Sequence, residues 1–181
     1  MATDVELVER CNSGDAATAR HAFAMLYERH KGFVLKVANG IVHDHALALD
    51  ALQETFTYLL RQFPPTGDGL ELRARLTTYL YPIARNSAIS QLRKSKRLPE
   101  GESDPDDLPA APAIDDGDIR SVLQELPADR REVVLLRFVH DFSLADIADA
   151  LDLPLGTVKS RLHSAIQQLR NSLKVKHFFD T

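Results

Sequence analysis

Between Leu98 and Asp118 the chain carries Pro99, Pro105, Pro109 and Pro112 together with eight carboxylates and no Lys or Arg. Proline has no backbone donor and clashes with the preceding helical turn, and a run of like charges without apolar partners cannot bury itself. A chain of 181 residues interrupted in this way cannot close around a single core. The expected organisation is a first domain over residues 1–97, a flexible acidic linker over 98–118 and a second domain over 119–181.

Before the break, apolar residues recur at helical spacing: Val5, Leu7 and Val8, then Phe23, Leu26 and Tyr27, then Phe33, Val34, Val37 and Ile41. After it the stretches 119–126, 130–139, 143–151 and 157–173 keep the same period. No segment alternates in the manner of a strand, so the expected fold class is all-α, two helical domains. Gly14, Pro64, Pro65, Gly67, Gly69, Pro127 and Gly156 sit at the breaks between periodic stretches.

The formal net charge of −4 conceals an uneven distribution. Residues 1–97 hold 13 Lys+Arg against 10 Asp+Glu, residues 98–118 none against 8, and residues 119–181 9 against 8. Two windows are basic and free of acid, Arg85–Arg97 and Pro154–Lys176. Such windows suit a helix that meets phosphates, although charge alone favours the plainer reading, a solvated helix face. The single Cys11 excludes an internal disulfide, and His43 and His45 read as loop histidines, so no metal is expected. No glycine-rich phosphate loop occurs and no nucleophile, acid and base stand together, so neither a cofactor nor a catalytic residue is expected. There is no signal-like start and no run near the roughly 18 apolar residues of a membrane span, which points to a cytoplasmic protein without membrane insertion.

In the second domain Ser143 can cap a helix beginning near Leu144, with Asp146 completing an acidic capping box. Leu144, Ile147, Ala148 and Leu151 form its inner stripe, and Asp152 to Gly156 supply a turn. A second helix is expected from Thr157, with Val158, Leu162, Ala165, Ile166 and Leu169 inward and Thr157, Lys159, Ser160, Arg161, His163 and Ser164 outward. Short polar groups and cations at the start of such a helix are what a recognition helix brings to the major groove.

In the first domain, from Ala46 to Gln62, Leu49, Leu52, Phe56, Leu59 and Phe63 make a core stripe. Asp50, Gln53, Glu54 and Thr57 fall on another, polar face. The segment Thr78–Asn86 and the following Gln91–Lys94 combine flat side chains with cations: Tyr79, Tyr81, Arg85, Asn86, Arg93 and Lys94. Single-strand capture needs both, stacking on bases and charge along the backbone. Leu80 and Ile83 read as core, and Pro82 is tolerated if its helix begins near Thr78.

The segments 126–137, 144–148 and 156–162 together resemble region 4 of the sigma-70 family, and Asp50–Phe56 with Thr78–Lys94 resembles its region 2. With nothing expected between them but the linker, the chain is similar to the extracytoplasmic-function (ECF) sigma factors. That resemblance implies a non-catalytic protein that binds core RNA polymerase, at its clamp helices through Asp50, Gln53 and Glu54 and at its flap through the first apolar helices of region 4. Val133, Leu136 and Phe138 are the flap candidates. It implies promoter DNA as second partner: the minus 10 element at Tyr79, Arg85, Asn86, Arg93 and Lys94, the minus 35 element at Thr157, Lys159, Ser160, Arg161, His163 and Ser164. An anti-sigma factor is the third implied partner. The family's linker threads the RNA exit path, so the acidic stretch here reads either as a mimic of RNA charge or as a solvated spacer. The competing function is a helix-turn-helix regulator acting without polymerase; LuxR-type regulators carry a similar motif.

Overall fold

The computed structural model describes residues 2–13, 15–96 and 123–171. The linker, Arg97, Lys174, Lys176 and the tail His177–Thr181 lie outside the described residues. Seven helices and no strand occur among the described residues: α1 Asp4–Asn12, α2 Ala16–Val42, α3 His45–Arg61, α4 Leu76–Lys96, α5 Ala128–Phe138, α6 Leu144–Leu151 and α7 Leu155–Asn171. The chain divides into two compact units, Met1–Ser95 and Lys96–Thr181.

The first unit is built round α2, whose 27 residues span about 40 Å at 1.5 Å per residue. Asp15 caps its start by accepting from the Thr18 N–H, and its end turns through His43 in the left-handed region. Asp44 then caps α3 by accepting from the Leu47 N–H at 3.0 Å. Ala22, Leu26, His30, Val34, Val37 and Ala38 form the inner stripe of α2 at helical spacing. Phe23 and Tyr27 meet Phe56 of α3 edge-on, with ring centroids 6.3 and 4.8 Å apart. Further along, Ala38 and Val42, Ala48 and Ala51, and Ala88 of α4 form a close-packed cluster.

Short α1 is pinned to this frame at both ends. Its start carries a capping box between Thr3 and Glu6, and Asp4 receives Arg29 and His30 of α2, the latter at 2.9 Å. At its end, Asn12 donates to the Leu70 carbonyl at 2.9 Å and accepts from the Leu70 N–H at 3.0 Å, tying down the loop between α3 and α4. Gly69, at φ +104°, lies against that amide: a Cβ there would come within 3.0 Å of the Asn12 oxygen. Cys11 is buried, which pushes its thiol up to about 11 and keeps it protonated.

The sequence places Pro82 in the first turn of a helix starting near Thr78; instead α4 begins at Leu76, and Pro82 is interior. Without an N–H at 82 the ladder bond to the Thr78 carbonyl is lost.

In the second unit Leu123, Leu126, Val134 and Ala165 share a core with Leu135, Leu162 and Leu169. Arg131 ties the preceding turn to α5 by donating to the carbonyls of Leu123, Gln124 and Leu126.

His30 is buried in the inner stripe of α2, and that burial lowers its pKa despite the opposing pull of Asp4; Arg29 and Arg75 add to the lowering. The unfolded chain, with an ordinary value of 6.5, therefore binds this proton more readily than the folded one. Stability from this group is full above that value and falls as pH drops through it toward the folded pKa. Urea midpoints should decline between about pH 7.5 and 5.5, and His30→Gln should flatten that part of the profile.

Candidate docking and nucleic-acid interfaces

On α3 the inner stripe is Ala48, Ala51, Leu52, Thr55, Phe56 and Leu59. Thr55 turns its hydroxyl back to the Ala51 carbonyl at 2.7 Å, so within the Asp50–Phe56 motif Thr55 and Phe56 serve the core. Asp50, Gln53, Glu54 and Thr57 are exposed, as their spacing suggests. With Tyr58, Arg61 and Gln91 they line an open groove of about 490 Å³ between α3 and α4. Gln91 donates to Glu54 at 2.9 Å and bridges the two helices. Leu49 departs from expectation: it is 44% exposed, not core. In the first turn of α3 the close approach to α2 is taken by Ala48, with Ala51 a turn on, and Leu49 is left at the rim beside the carboxylates.

On α4 the buried residues are Leu76, Thr78, Leu80, Tyr81, Ala84, Ser87 and Ala88. Tyr81 is thus removed from the stacking set, because it faces the core at 7% exposure. Ile83, expected in the core, is only half-buried. Tyr79, Asn86 and Arg93 recur every seven residues along one face, flanked by Arg85 on one side and Lys94 on the other. Asn86 and Lys94 are exposed; Tyr79, Arg85 and Arg93 are half-buried. Burial, then the neighbouring Tyr58, pushes the Tyr79 phenol above its ordinary range, so it presents a neutral ring at neutral pH.

In the second unit the capping box forms as the sequence suggests: the Asp146 N–H donates to Ser143 Oγ, and the Ser143 N–H donates to Asp146 Oδ2, both at 3.0 Å. Ile147 and Ala148 of α6 are buried. Asp152, at φ 51° and ψ 50°, makes the reversal. Gly156 lies inside α7 with open space where a Cβ would stand, and the helix starts at Leu155 rather than Thr157. Pro154 supplies the first carbonyl, accepting from Thr157 and Val158.

Val158 and Ala165 anchor α7 inward. Of the outward set, Lys159, Ser160 and His163 are exposed, while Thr157, Arg161 and Ser164 are half-buried. Ser160 Oγ donates to the Thr157 carbonyl at 2.9 Å, and Arg161 Nε lies 3.2 Å from Asp129 Oδ2 of α5. Of the apolar candidates on α5, Val133 and Leu136 are fully buried and only Phe138, 61% exposed, reaches the surface. Helical period alone fixes a stripe, not which of its residues stay open, and here Val133 and Leu136 are enclosed in a unit where α5 packs against both α6 and α7. Asp129 and Gln91 lie in segments that carry the family resemblance, but their roles as partners of Arg161 and Glu54 have no local signal, because each acts on a residue far along the chain.

No described helix is long and apolar enough to cross a membrane, and no group of three or more potential metal ligands occurs among the described residues.

A helix-turn-helix in one unit and a polar-faced helix beside a cationic one in the other define a DNA-reading transcription protein with a second docking surface. Residues 26–98 match the model of sigma-70 region 2, and residues 116–169 that of sigma-70 region 4. The ECF RNA polymerase sigma factor SigL of Mycobacterium tuberculosis is 34% identical over 175 residues, covering 90% of this chain and 94% of the relative. The RNA polymerase sigma factor CarQ of Myxococcus xanthus is 32% identical over 162 residues, covering 86% and 91%. The sigma factor RpoE of Bartonella quintana, solved in complex with the anti-sigma factor NepR, superposes with a TM-score of 0.61 at 28% identity, over 84% of this chain and 97% of that one. The chain belongs to the sigma-70 family, as one of its ECF members.

The capping box yields a direct test. Ser143→Ala removes the acceptor for the Asp146 N–H and should cost about 1 kcal/mol, read as a lower urea midpoint for the second unit. Asp152→Gly should act oppositely, since glycine adopts the left-handed turn without a Cβ penalty.

Proposed function

We propose that this chain, a sigma factor that binds core RNA polymerase and directs promoter-specific initiation, divides the work between its two helical units. The observation that carries the assignment is the two-sided α3. Its aromatic and alanine side is locked into the core, and its Asp50, Gln53 and Glu54 stand together on the outside. Exposed acids and an amide on a rigid helix form a directional surface for a cationic partner helix, and the clamp helices of the polymerase are assigned to it.

The face of α4 with Tyr79, Asn86 and Arg93, flanked by Arg85 and Lys94, is assigned to the unpaired minus 10 strand. Tyr79 supplies a flat neutral ring, and the cations follow the backbone. The start of α7 is assigned to the minus 35 duplex: Thr157, Lys159, Ser160, Arg161, His163 and Ser164 offer hydroxyl donors and acceptors, cations and an imidazole where base edges and phosphates are met. Phe138 is assigned to the polymerase flap. By likeness to RpoE of Bartonella quintana, an anti-sigma protein is the third partner. The protein acts without catalytic residues of its own, in the cytoplasm with the polymerase.

Run-off transcription with core polymerase on genomic fragments tests the whole assignment. The wild type should give promoter-dependent transcripts. Asp50→Ala combined with Glu54→Ala should weaken core binding about ten-fold or more with only a small shift of the unfolding transition, because both side chains are exposed and the one bond lost, from Gln91, lies at the surface. Unchanged core affinity in that double variant would remove α3 from the docking role. Lys159→Ala should weaken binding of the holoenzyme to every duplex alike and reduce the slope of log K against log salt by about 1; titration at several salt concentrations checks this.

A further inference from the structure

We propose that Asp129 is a positioning residue for Arg161 and, through it, sets which base edge the recognition helix accepts; this rests on the assignment of α7 to duplex DNA. The carboxylate is used twice. Oδ1 accepts the N–H of Arg130 at 2.8 Å, which fixes the group at the start of α5, and Oδ2 lies 3.2 Å from Arg161 Nε. One rigid helix end thereby holds a side chain of a different helix.

A guanidinium grips two acceptors in one of two ways, side-on through Nε and one Nη, or end-on through both Nη groups. With Asp129 Oδ2 lodged 3.2 Å from Nε, a side-on acceptor would have to displace the carboxylate, so the end-on mode is the one left to Arg161. The pair lies at the rim, with the Arg161 and Asp129 side chains 30% and 45% exposed, where an ion pair stabilises a fold little. Its consequence is geometric: a long side chain that otherwise samples many rotamers is held in one direction. The carboxylate also repels phosphates, which turns Arg161 away from the role of general backbone anchor. Backbone contacts position a protein on DNA and base contacts specify sequence, so this shifts Arg161 toward specification. Two parallel Nη donors fit a base edge that offers two acceptors side by side, as guanine does in the major groove.

The experiment uses holoenzymes reconstituted with core polymerase and a pool of duplexes randomised across the upstream element of a promoter recovered by run-off transcription. Wild type, Asp129→Asn, Asp129→Glu, Arg161→Ala and the double variant Asp129→Asn/Arg161→Ala are compared. Asparagine keeps the shape and the acceptor for the Arg130 N–H but loses the ion pair. The wild type should select one base pair that Arg161→Ala no longer selects. Asp129→Asn should weaken the same preference by roughly three-fold, the double variant should lose nothing beyond Arg161→Ala, and Asp129→Glu should recover most of it. Retained preference in Asp129→Asn, or a loss that adds to that of Arg161→Ala, overturns the proposal. So does general loss of binding to all duplexes by Asp129→Asn, which marks a purely structural role. A wild-type pool without any preference would overturn the DNA-reading role of α7 itself.

Discussion

Three helices of the first unit meet at alanines: Ala38 on α2, Ala48 and Ala51 on α3, Ala88 on α4, all buried. Helix axes pack roughly 8–10 Å apart depending on the side chains between them, and alanine sets the lower end of that range. Much else follows from this close approach. It fixes the rotation of α3, so that Asp50, Gln53 and Glu54 must face outward. Ala88 joins α4 to the same cluster, and about one turn on Gln91 reaches Glu54 at 2.9 Å. The surface assigned to the polymerase and the helix assigned to the melted strand therefore share one rigid body. A larger side chain at Ala51 or Ala88 would separate them before it touched any residue of either surface.

What the sequence made legible was whatever physics acts over a few residues. The capping box of Ser143 and Asp146 spans one helical turn, and both of its hydrogen bonds are present. The separation of Asp50, Gln53 and Glu54 from Leu52 and Phe56 follows from the helical period, which a single segment displays in full. The family resemblance, carried by those same segments, matches the region 2 and region 4 models found for residues 26–98 and 116–169.

The misses share a different cause. Leu49 fits the apolar period of α3, yet the interface centres on the small residues beside it, a choice made by α2 and α4 rather than by α3. Tyr81 lies in a segment where ring and cation chemistry looks the same for base stacking as for a core, and packing puts it inside. Val133, Leu136 and Phe138 look alike as apolar flap candidates in one segment, yet the fold encloses the first two and leaves only Phe138 at the surface. The turn expected over Asp152 to Gly156 is made at its first residue, because the short polar side chain of Asp152 tolerates the left-handed conformation, and Gly156 is already inside α7. Gln91 and Asp129 have no local signature at all: the Gln91–Glu54 bond links residues 37 apart.

The second unit also shows why counting cations misjudges a DNA surface. Arg131 gives its guanidinium to three carbonyls, and Arg137 donates to the Phe142 carbonyl at 2.8 Å. Arg130 reaches Gln168 at 3.4 Å, and Arg161 is engaged by Asp129. Among the described residues of this unit, that leaves Lys159 and Arg170 as the exposed cations of α7 outside such contacts. So few point charges among the described residues of the helix would release few counterions on binding DNA. If α4 takes the melted strand as assigned, a helix delivered to the same promoter by the polymerase needs little intrinsic affinity, because the effective concentration of its site is already high. Weak electrostatic grip then becomes an advantage: a reader that does not cling to arbitrary duplex leaves discrimination to its base contacts.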